Sequence, residues 1–230
     1  MKPIISVIIP AYNEKSTINE IIKQVKAVKI PKEIIIIDDF SKDGTCEFLR
    51  KIKDKQIKVI YHKKNLGKGY AIRTGISQVT GKIVIIQDAD LEYDPQDYKK
   101  LIEPIINGQA KVVYGTRFPK NRPKPSIFKN RFFLANKFLT FMSNVLYNAK
   151  ITDEPTCYKV FDSDVLKNIN LKCKRFEFCP EVTAKVRKKG HKIIEVPISY
   201  NPRTIEEGKK INYKDGIQAI WTLIKYRFKD

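Results

Sequence analysis

Five short runs of nearly uninterrupted apolar residues punctuate the first half of the chain: Ile4 to Pro10, Glu33 to Asp38, Ile57 to His62, Lys82 to Gln87 and Lys111 to Tyr114. They are rich in β-branched residues and too short for helices, so they predict strands. Helix-like segments begin between them near Ser16, Asp43, Gly67 and Pro95, and Thr17 with Glu20 has the spacing of a capping box. Strands apolar on both faces and alternating with helices predict an α/β fold. Its central sheet is mostly parallel and has helices on both faces.

The pattern changes after Gly115. A Pro-rich loop from Phe118 to Pro125 precedes a long helical segment from Ile127 to Tyr147. Phe128, Phe132, Ala135, Leu139, Met142 and Leu146 recur on one face of it. Leu134, Phe138, Phe141 and Val145 widen that face beyond what a simple surface helix buries. A last strand, His191 to Tyr200, leads through Asn201-Pro202-Arg203 into a Lys-rich loop. The segment from Asp215 is again amphipathic, with Ile217, Ile220, Trp221, Ile224 and Phe228 on one side and Trp221 and Tyr226 suited to a headgroup depth. We divide the chain into a main domain, 1–203, containing a basic helical region at about 117–150, and a C-terminal basic loop and amphipathic helix, 204–230.

Charge narrows the partners. The 230 residues carry a formal net charge of +20, which calls for something anionic: nucleic acid, a membrane surface or a phosphorylated substrate. Pro104 to Thr152 holds no acid but nine Lys or Arg, and each basic residue near an anionic leaflet contributes about 1 kcal/mol. A nucleic-acid binder would interleave these cations with exposed stacking aromatics, whereas here the aromatics recur at helical core spacing, so nucleic acid is excluded. Cys46, Cys157, Cys173 and Cys179 show no metal-ligand spacing and read as free thiols in a reducing compartment. Met1-Lys2-Pro3 runs straight into a strand without room for a signal peptide, and no stretch of about 18 apolar residues offers a membrane span. The expectation is a cytoplasmic protein, peripheral on the cytoplasmic face of a membrane.

The chemistry sits in the loops after the strands, on the sheet edge where open α/β sheets bind ligands. Ile83-Val84-Ile85-Ile86-Gln87-Asp88-Ala89-Asp90 is a buried strand that ends by presenting two carboxylates, a pattern suited to a divalent cation carrying phosphate oxygens. Asp162-Ser163-Asp164 has the same spacing without a comparable apolar run, and it reads as a helix cap. Pro10-Ala11-Tyr12-Asn13-Glu14 and Asp38-Asp39-Phe40-Ser41 follow the first two strands, where acids suit a ribose or a base edge. Gly67-Lys68-Gly69 offers a close backbone approach to a phosphate at a helix N-terminus. His62 and His191 flank strands and read as structural.

In that order, Pro-Ala-Tyr-Asn-Glu, Asp-Asp-Phe-Ser and Gln-Asp-Ala-Asp resemble the inverting family 2 glycosyltransferases of GT-A nucleotide-diphospho-sugar transferase fold. Gly115-Thr116-Arg117, Thr156-Cys157-Tyr158-Lys159 and Val196-Pro197-Ile198-Ser199-Tyr200 extend the likeness to the polyprenyl-phosphate branch, typified by dolichol-phosphate mannosyltransferases. The resemblance implies transfer of mannose or glucose from a nucleotide sugar, GDP-mannose or UDP-glucose, to a polyprenyl or dolichyl phosphate. It implies Mg²⁺ or Mn²⁺ on Asp88 and Asp90, with Glu92, where the branch often has glutamine, as a third oxygen ligand. Pro10, Ala11, Tyr12, Glu14 and Asp39 would line the nucleotide pocket together with Lys68. Arg203 would reach the donor diphosphate with Lys210 as a weaker candidate, and Arg117 and Arg131 the lipid phosphate. Ala135 stands where some relatives carry a serine near that phosphate. The branch leaves room for a membrane-anchored partner subunit.

A phosphate monoester is largely dianionic at neutral pH because its second pKa is about 6, so it needs no catalytic base to attack. The competing reading within the family is a saccharide or other hydroxyl acceptor, which requires a base, with Glu154 or Asp153 the first suspects. A sugar-nucleotide pyrophosphorylase would need a Gly-rich loop after the first strand, where Pro10-Ala11-Tyr12 stands.

Overall fold

The structure, a computed structural model, describes residues 3–118, 131–203 and 213–229, with the side chains of 131 and 132 left aside. Lys210, most of the Pro-rich loop and Phe128 therefore lie outside the described residues, as do the side chains of Arg131 and Phe132. Within that frame the chain builds a seven-stranded sheet. Its strands are β1 (Ile5–Ala11), β2 (Lys32–Asp38), β3 (Ile57–Tyr61), β4 (Ile83–Ile86), β5 (Val112–Thr116), β6 (Lys159–Asp162) and β7 (Ile193–Pro197). Their order is β3-β2-β1-β4-β6-β5-β7, and every neighbouring pair is parallel except those made by β6, which runs antiparallel to β4 and β5. The short antiparallel β6 was not expected from the sequence.

The apolar runs are explained by burial on both faces. Ile5, Val7, Ile9, Ile34, Ile36, Ile83 and Ile85 belong to one core, with α1 (Ile18–Ala27) and α4 (Tyr98–Ile106). Ile8, Ile35, Ile37, Val84 and Ile86 belong to a second, with α3 (Lys68–Ile76), α6 (Ser163–Lys167) and α7 (Phe178–Lys188). A short α2 (Thr45–Arg50) lies between β2 and β3. A third cluster forms where α5 (Arg131–Tyr147) and α8 (Tyr213–Phe228) meet α7, around Leu139, Tyr147, Ala184, Ala219, Leu223 and Tyr226. Fully burying a side chain such as Leu223 contributes about 1.5–3 kcal/mol.

Two local expectations are corrected. Thr17 precedes α1 but makes no side-chain cap; its hydroxyl donates to the Glu14 carbonyl at 3.3 Å and carboxylate at 3.1 Å, and its ψ of −27° is helical where a capping residue is extended. Glu20 instead accepts from Gln24. On the C-terminal amphipathic segment Ile217, Trp221 and Phe228 are exposed, while Ala219, Thr222, Leu223 and Tyr226 make the buried side. Tyr226 is thus core rather than headgroup-facing. Asp162 does cap α6, accepting from the Asp164 and Val165 amides.

Candidate active site

Three loops that leave the sheet edge each turn on a non-glycine residue in the left-handed region: Asn13 (φ 51°) after β1, Phe40 (φ 68°) after β2 and Leu91 (φ 62°) after β4. Such conformations are uncommon and persist when the surroundings over-determine them. The three loops border one cleft of about 700 Å³. Pro10, Ala11, Tyr12, Glu14, Asp39, Lys68, Asp88, Asp90, Glu92, Arg117 and Arg203 all line it, so nearly every residue nominated from sequence converges there. Arg131 and Lys210 cannot be placed in it, for the reason given above.

Register delivers the acids. Ile8 pairs with Ile86, and Gln87 N still donates to Ile8 O at 2.9 Å, so Asp88 emerges level with Pro10. Gln87 is a residue that sequence reasoning missed. It is fully buried, its Nε2 donates to the Asp88 carbonyl at 2.9 Å, and its Oε1 accepts from Tyr98 and Tyr158 hydroxyls, both at 2.7 Å. A polar side chain closing an apolar strand was the available signal.

The carboxylates are partly neutralised by two cations. Lys68 Nζ lies 2.6 Å and 2.8 Å from the Asp88 oxygens. Burial works against its charge, yet the Asp88 carboxylate holds the ammonium well above its ordinary pKa. Arg203 donates to Asp90 Oδ2 at 2.9 Å, and its guanidinium lies 3.6 Å from Glu14 and 3.7 Å from Glu92; its Nε has no hydrogen-bond partner among the described residues. Glu92 in turn accepts from the Arg203 amide at 3.0 Å and the Tyr200 hydroxyl at 3.2 Å, which fastens the loop after β7 to the acid cluster. Burial, then Asp88 and Glu92, push the Asp90 carboxyl up to about 7. Among the described residues no three acid, thiol or imidazole groups already converge as a ligand set. Four carboxylates facing two cations nevertheless leave negative charge in a desolvated site, and that donor chemistry fits a hard divalent cation.

The glycine motif does something different from what was expected. Gly69 N and Tyr70 N at the start of α3 donate to the Arg175 and Lys174 carbonyls at 2.9 Å and 3.0 Å, so these amides are not offered to a phosphate. A Cβ on Gly67, which has φ +91°, would meet the Lys174 carbonyl oxygen at 2.4 Å, and one on Gly69 the Arg175 oxygen at 2.8 Å. The glycines admit a protein backbone. Asp39, at the cleft wall, accepts from Leu66 N at 2.9 Å and Gly67 N at 2.7 Å, with His62 Nδ1 at 2.7 Å. Its carboxylate fixes the 66–67 turn, and His62 supports it from Thr74.

Arg117 is not a solvated charge. Its side chain is 8% exposed and grips the fully buried Asp153 through Nε (2.8 Å) and Nη2 (2.7 Å), and its amide adds a third bond at 3.0 Å. The guanidinium also lies over the rings of Phe118 and Tyr200. Asp153, named from sequence as a candidate base, therefore has both oxygens engaged. Glu154 is buried beside it, and burial pushes its carboxyl up. All four cysteines are free, and Cys157 Sγ sits 3.2 Å from Lys68 Nζ.

Residues 6–169 match the model of the family described as Glycosyl transferase family 2. The UDP-N-acetylglucosamine–dolichyl-phosphate N-acetylglucosaminyltransferase of Methanococcus voltae is 31% identical over 242 residues, which is 96% of this chain and 95% of that protein. The dolichol-phosphate mannosyltransferase of Pyrococcus furiosus is 27% identical over 209 residues, 89% of this chain and 58% of its own length. Among solved structures, glucosyl-3-phosphoglycerate synthase of Mycobacterium tuberculosis with Mn²⁺, UDP and glucosyl-3-phosphoglycerate aligns with a TM-score of 0.73. That alignment has 18% identity and covers 98% of this chain and 80% of that one. Staphylococcus aureus TarS 1-349 with UDP-GlcNAc aligns with a TM-score of 0.62 at 19% identity, over 95% of this chain and 64% of that one. These structural likenesses carry the fold, the GT-A arrangement read from the motifs.

Proposed function

We propose that this chain, which belongs to glycosyl transferase family 2, moves a sugar with inversion from a nucleoside diphosphate to the phosphate of a polyprenyl or dolichyl lipid. The observation that carries the reading is a single cleft lined both by a carboxylate cluster and by a fixed, largely buried arginine. The names of the relatives from M. voltae and P. furiosus, which act on dolichyl phosphate, support the acceptor class. The donor expected from sequence was mannose or glucose; the M. voltae name adds UDP-N-acetylglucosamine to the candidates.

In this reading Tyr12, Pro10 and Ala11 border the nucleoside, and Asp39 shapes the wall behind it. Asp88 and Asp90, with Glu92 beside them, would hold Mg²⁺ or Mn²⁺, which when bound neutralises the departing diphosphate. Lys68 and Arg203, already at the carboxylates, supply fixed positive charge to the same phosphates. Arg117 orients the acceptor phosphate: Asp153 holds its Nε and Nη2, leaving further guanidinium N–H groups to donate. The dianionic phosphate then attacks the anomeric carbon from the side opposite the diphosphate. No base is required, in keeping with Asp153 being tied to Arg117 and Glu154 being desolvated.

The acceptor would come from a membrane surface. Leu134, Phe138, Phe141 and Val145 on α5, and Ile217, Trp221 and Phe228 on α8, are exposed. Lys214, Lys225, Arg227 and Lys229 lie on or beside α8, so apolar and basic groups together suit an anionic bilayer. Among the described residues no helix is long and apolar enough to cross one. The test is transfer of labelled sugar from UDP- and GDP-linked donors, with Mn²⁺, to a polyprenyl phosphate and to a saccharide. Label entering a lipid-soluble, acid-labile phosphodiester is expected; label appearing only in a water-soluble glycan would overturn the acceptor.

A further inference from the structure

Residues 153–157 tie Arg117 to the Lys68–Asp88 pair. Asp153 holds Arg117, and Cys157 Sγ lies 3.2 Å from Lys68 Nζ, which is itself 2.6 Å from Asp88. Given a diphosphate at Asp88 and an acceptor phosphate at Arg117, a sugar in transit would pass beside this segment. Glu154 and Pro155 both line the cleft.

The backbone of this segment is already committed. Thr152 N and Asp153 N donate to the Glu195 carboxylate at 2.8 Å and 3.0 Å, and Glu154 N donates to Thr140 Oγ1 at 3.0 Å. The Glu154 carbonyl accepts from the buried Lys159 at 2.6 Å, and Cys157 N donates to the Tyr93 hydroxyl at 3.2 Å. The side chain of Glu154 is only half used: Oε1 accepts from Thr183 Oγ1 at 3.2 Å, whereas Oε2 is buried and has no partner among the described residues. A buried acceptor left unmade is costly, and one anchored through its other oxygen is held in a fixed direction.

Resting on the transfer reading above, we propose that Glu154 Oε2 accepts a hydroxyl, or an acetamido N–H, of the donor sugar and thereby selects which sugar the enzyme uses. A site built to accept a hydrogen bond rejects an analogue lacking the donor far more strongly than an apolar pocket rejects a shape change. Glu154 is thus a specificity residue, separate from the groups that hold the phosphates. The desolvation that pushes its carboxyl up is relieved by such a bond, since hydrogen bonding to the ionised form favours it.

The experiment measures binding to the full chain with Mn²⁺ by calorimetry. The ligands are UDP- and GDP-linked hexoses and N-acetylhexosamines, free UDP and GDP, and donors lacking one polar substituent at sugar position 2, 3, 4 or 6. Glu154→Leu, similar in volume and apolar, is expected to weaken the preferred nucleotide sugar about tenfold or more while leaving the free diphosphate within about twofold. One deoxy donor that wild type binds about tenfold more weakly should be bound by the variant as well as its parent sugar. Equal loss for sugar nucleotide and free diphosphate, or no loss for either, overturns the inference. Should Glu154→Leu not fold, Glu154→Gln replaces it, with the same donor weakened about threefold or more, and unchanged affinity again overturning it. If wild type binds no sugar nucleotide at all, the transfer reading itself fails and this inference falls with it.

Discussion

Breaking the Arg117–Asp153 pair separates two roles that the structure gives it, one in the fold and one in the reaction. Arg117 is 8% exposed and Asp153 not at all, and three donors of Arg117 reach the same carboxylate. Removing either partner leaves the other charge buried and uncompensated, a loss of about 3–5 kcal/mol. For a chain of this length that lowers Tm by roughly 6–20 °C. Arg117→Met and Asp153→Asn should each fall in that range. The double variant, which buries no unpaired charge, should be more stable than either single one. Urea unfolding of the four proteins gives the coupling directly. Transfer to lipid phosphate supplies the second readout: Arg117→Met and the double variant should lose it by about 100-fold while still binding sugar nucleotide, because positioning of the acceptor is what disappears. Losses that add to within about 0.5 kcal/mol in the double variant would refute the buried pair. Wild-type turnover in Arg117→Met would remove Arg117 from the acceptor site.

Three further outcomes follow from the same geometry. Asp90, raised to about 7 in the folded chain, binds a proton more tightly there than when unfolded, so its contribution to stability falls as pH rises from about 4 to 7 and stays lost above. In EDTA, Asp90→Asn should therefore melt higher than wild type at pH 8, with the gap closing toward pH 4, and should no longer respond to Mn²⁺; a gap that widens on acidification would contradict this. Gly67→Ala should cost about 2 kcal/mol or more in urea unfolding, because φ is +91° and the new Cβ would sit 2.4 Å from the Lys174 oxygen; a tolerated alanine would mean that the 174–175 segment does not close over α3. Phe141→Ser with Trp221→Ser should abolish flotation with anionic liposomes at unchanged Tm, since both side chains are more than 60% exposed; undiminished flotation would move the membrane contact elsewhere.

Most of the sheet was legible from runs such as Ile34 to Ile37 and Ile83 to Ile86, which are buried on both faces and have no solvent side to carry polar residues. β6 was not, since Lys159-Val160-Phe161-Asp162 is short and starts with a charge. That lysine is fully buried, with Nζ bonded to the Glu154 carbonyl and 3.8 Å from the Tyr114 ring centroid. A cation placed by tertiary contacts leaves no mark in a hydropathy pattern. The same limit explains the glycine loop: Gly67-Lys68-Gly69 announces a close backbone approach, but only the fold says that the partner is residues 174–175 and not a phosphate.

The acid cluster combines both kinds of information, and its state bears on how one site would serve the two anionic substrates proposed. Asp88 and Asp90 were visible because a strand ended in carboxylates; that Lys68 and Arg203 are bound to them required the structure. Two charged partners already seated at the carboxylates reduce the repulsion that a nucleoside diphosphate would otherwise meet on entry, while the residual negative charge still favours a divalent ion. In the proposed reaction Arg117, locked to Asp153, would meet the second anion without drawing on those charges. Separate neutralisation of the two anions would let a phosphate approach a sugar that still carries its diphosphate, and this is the central electrostatic problem of the proposed reaction.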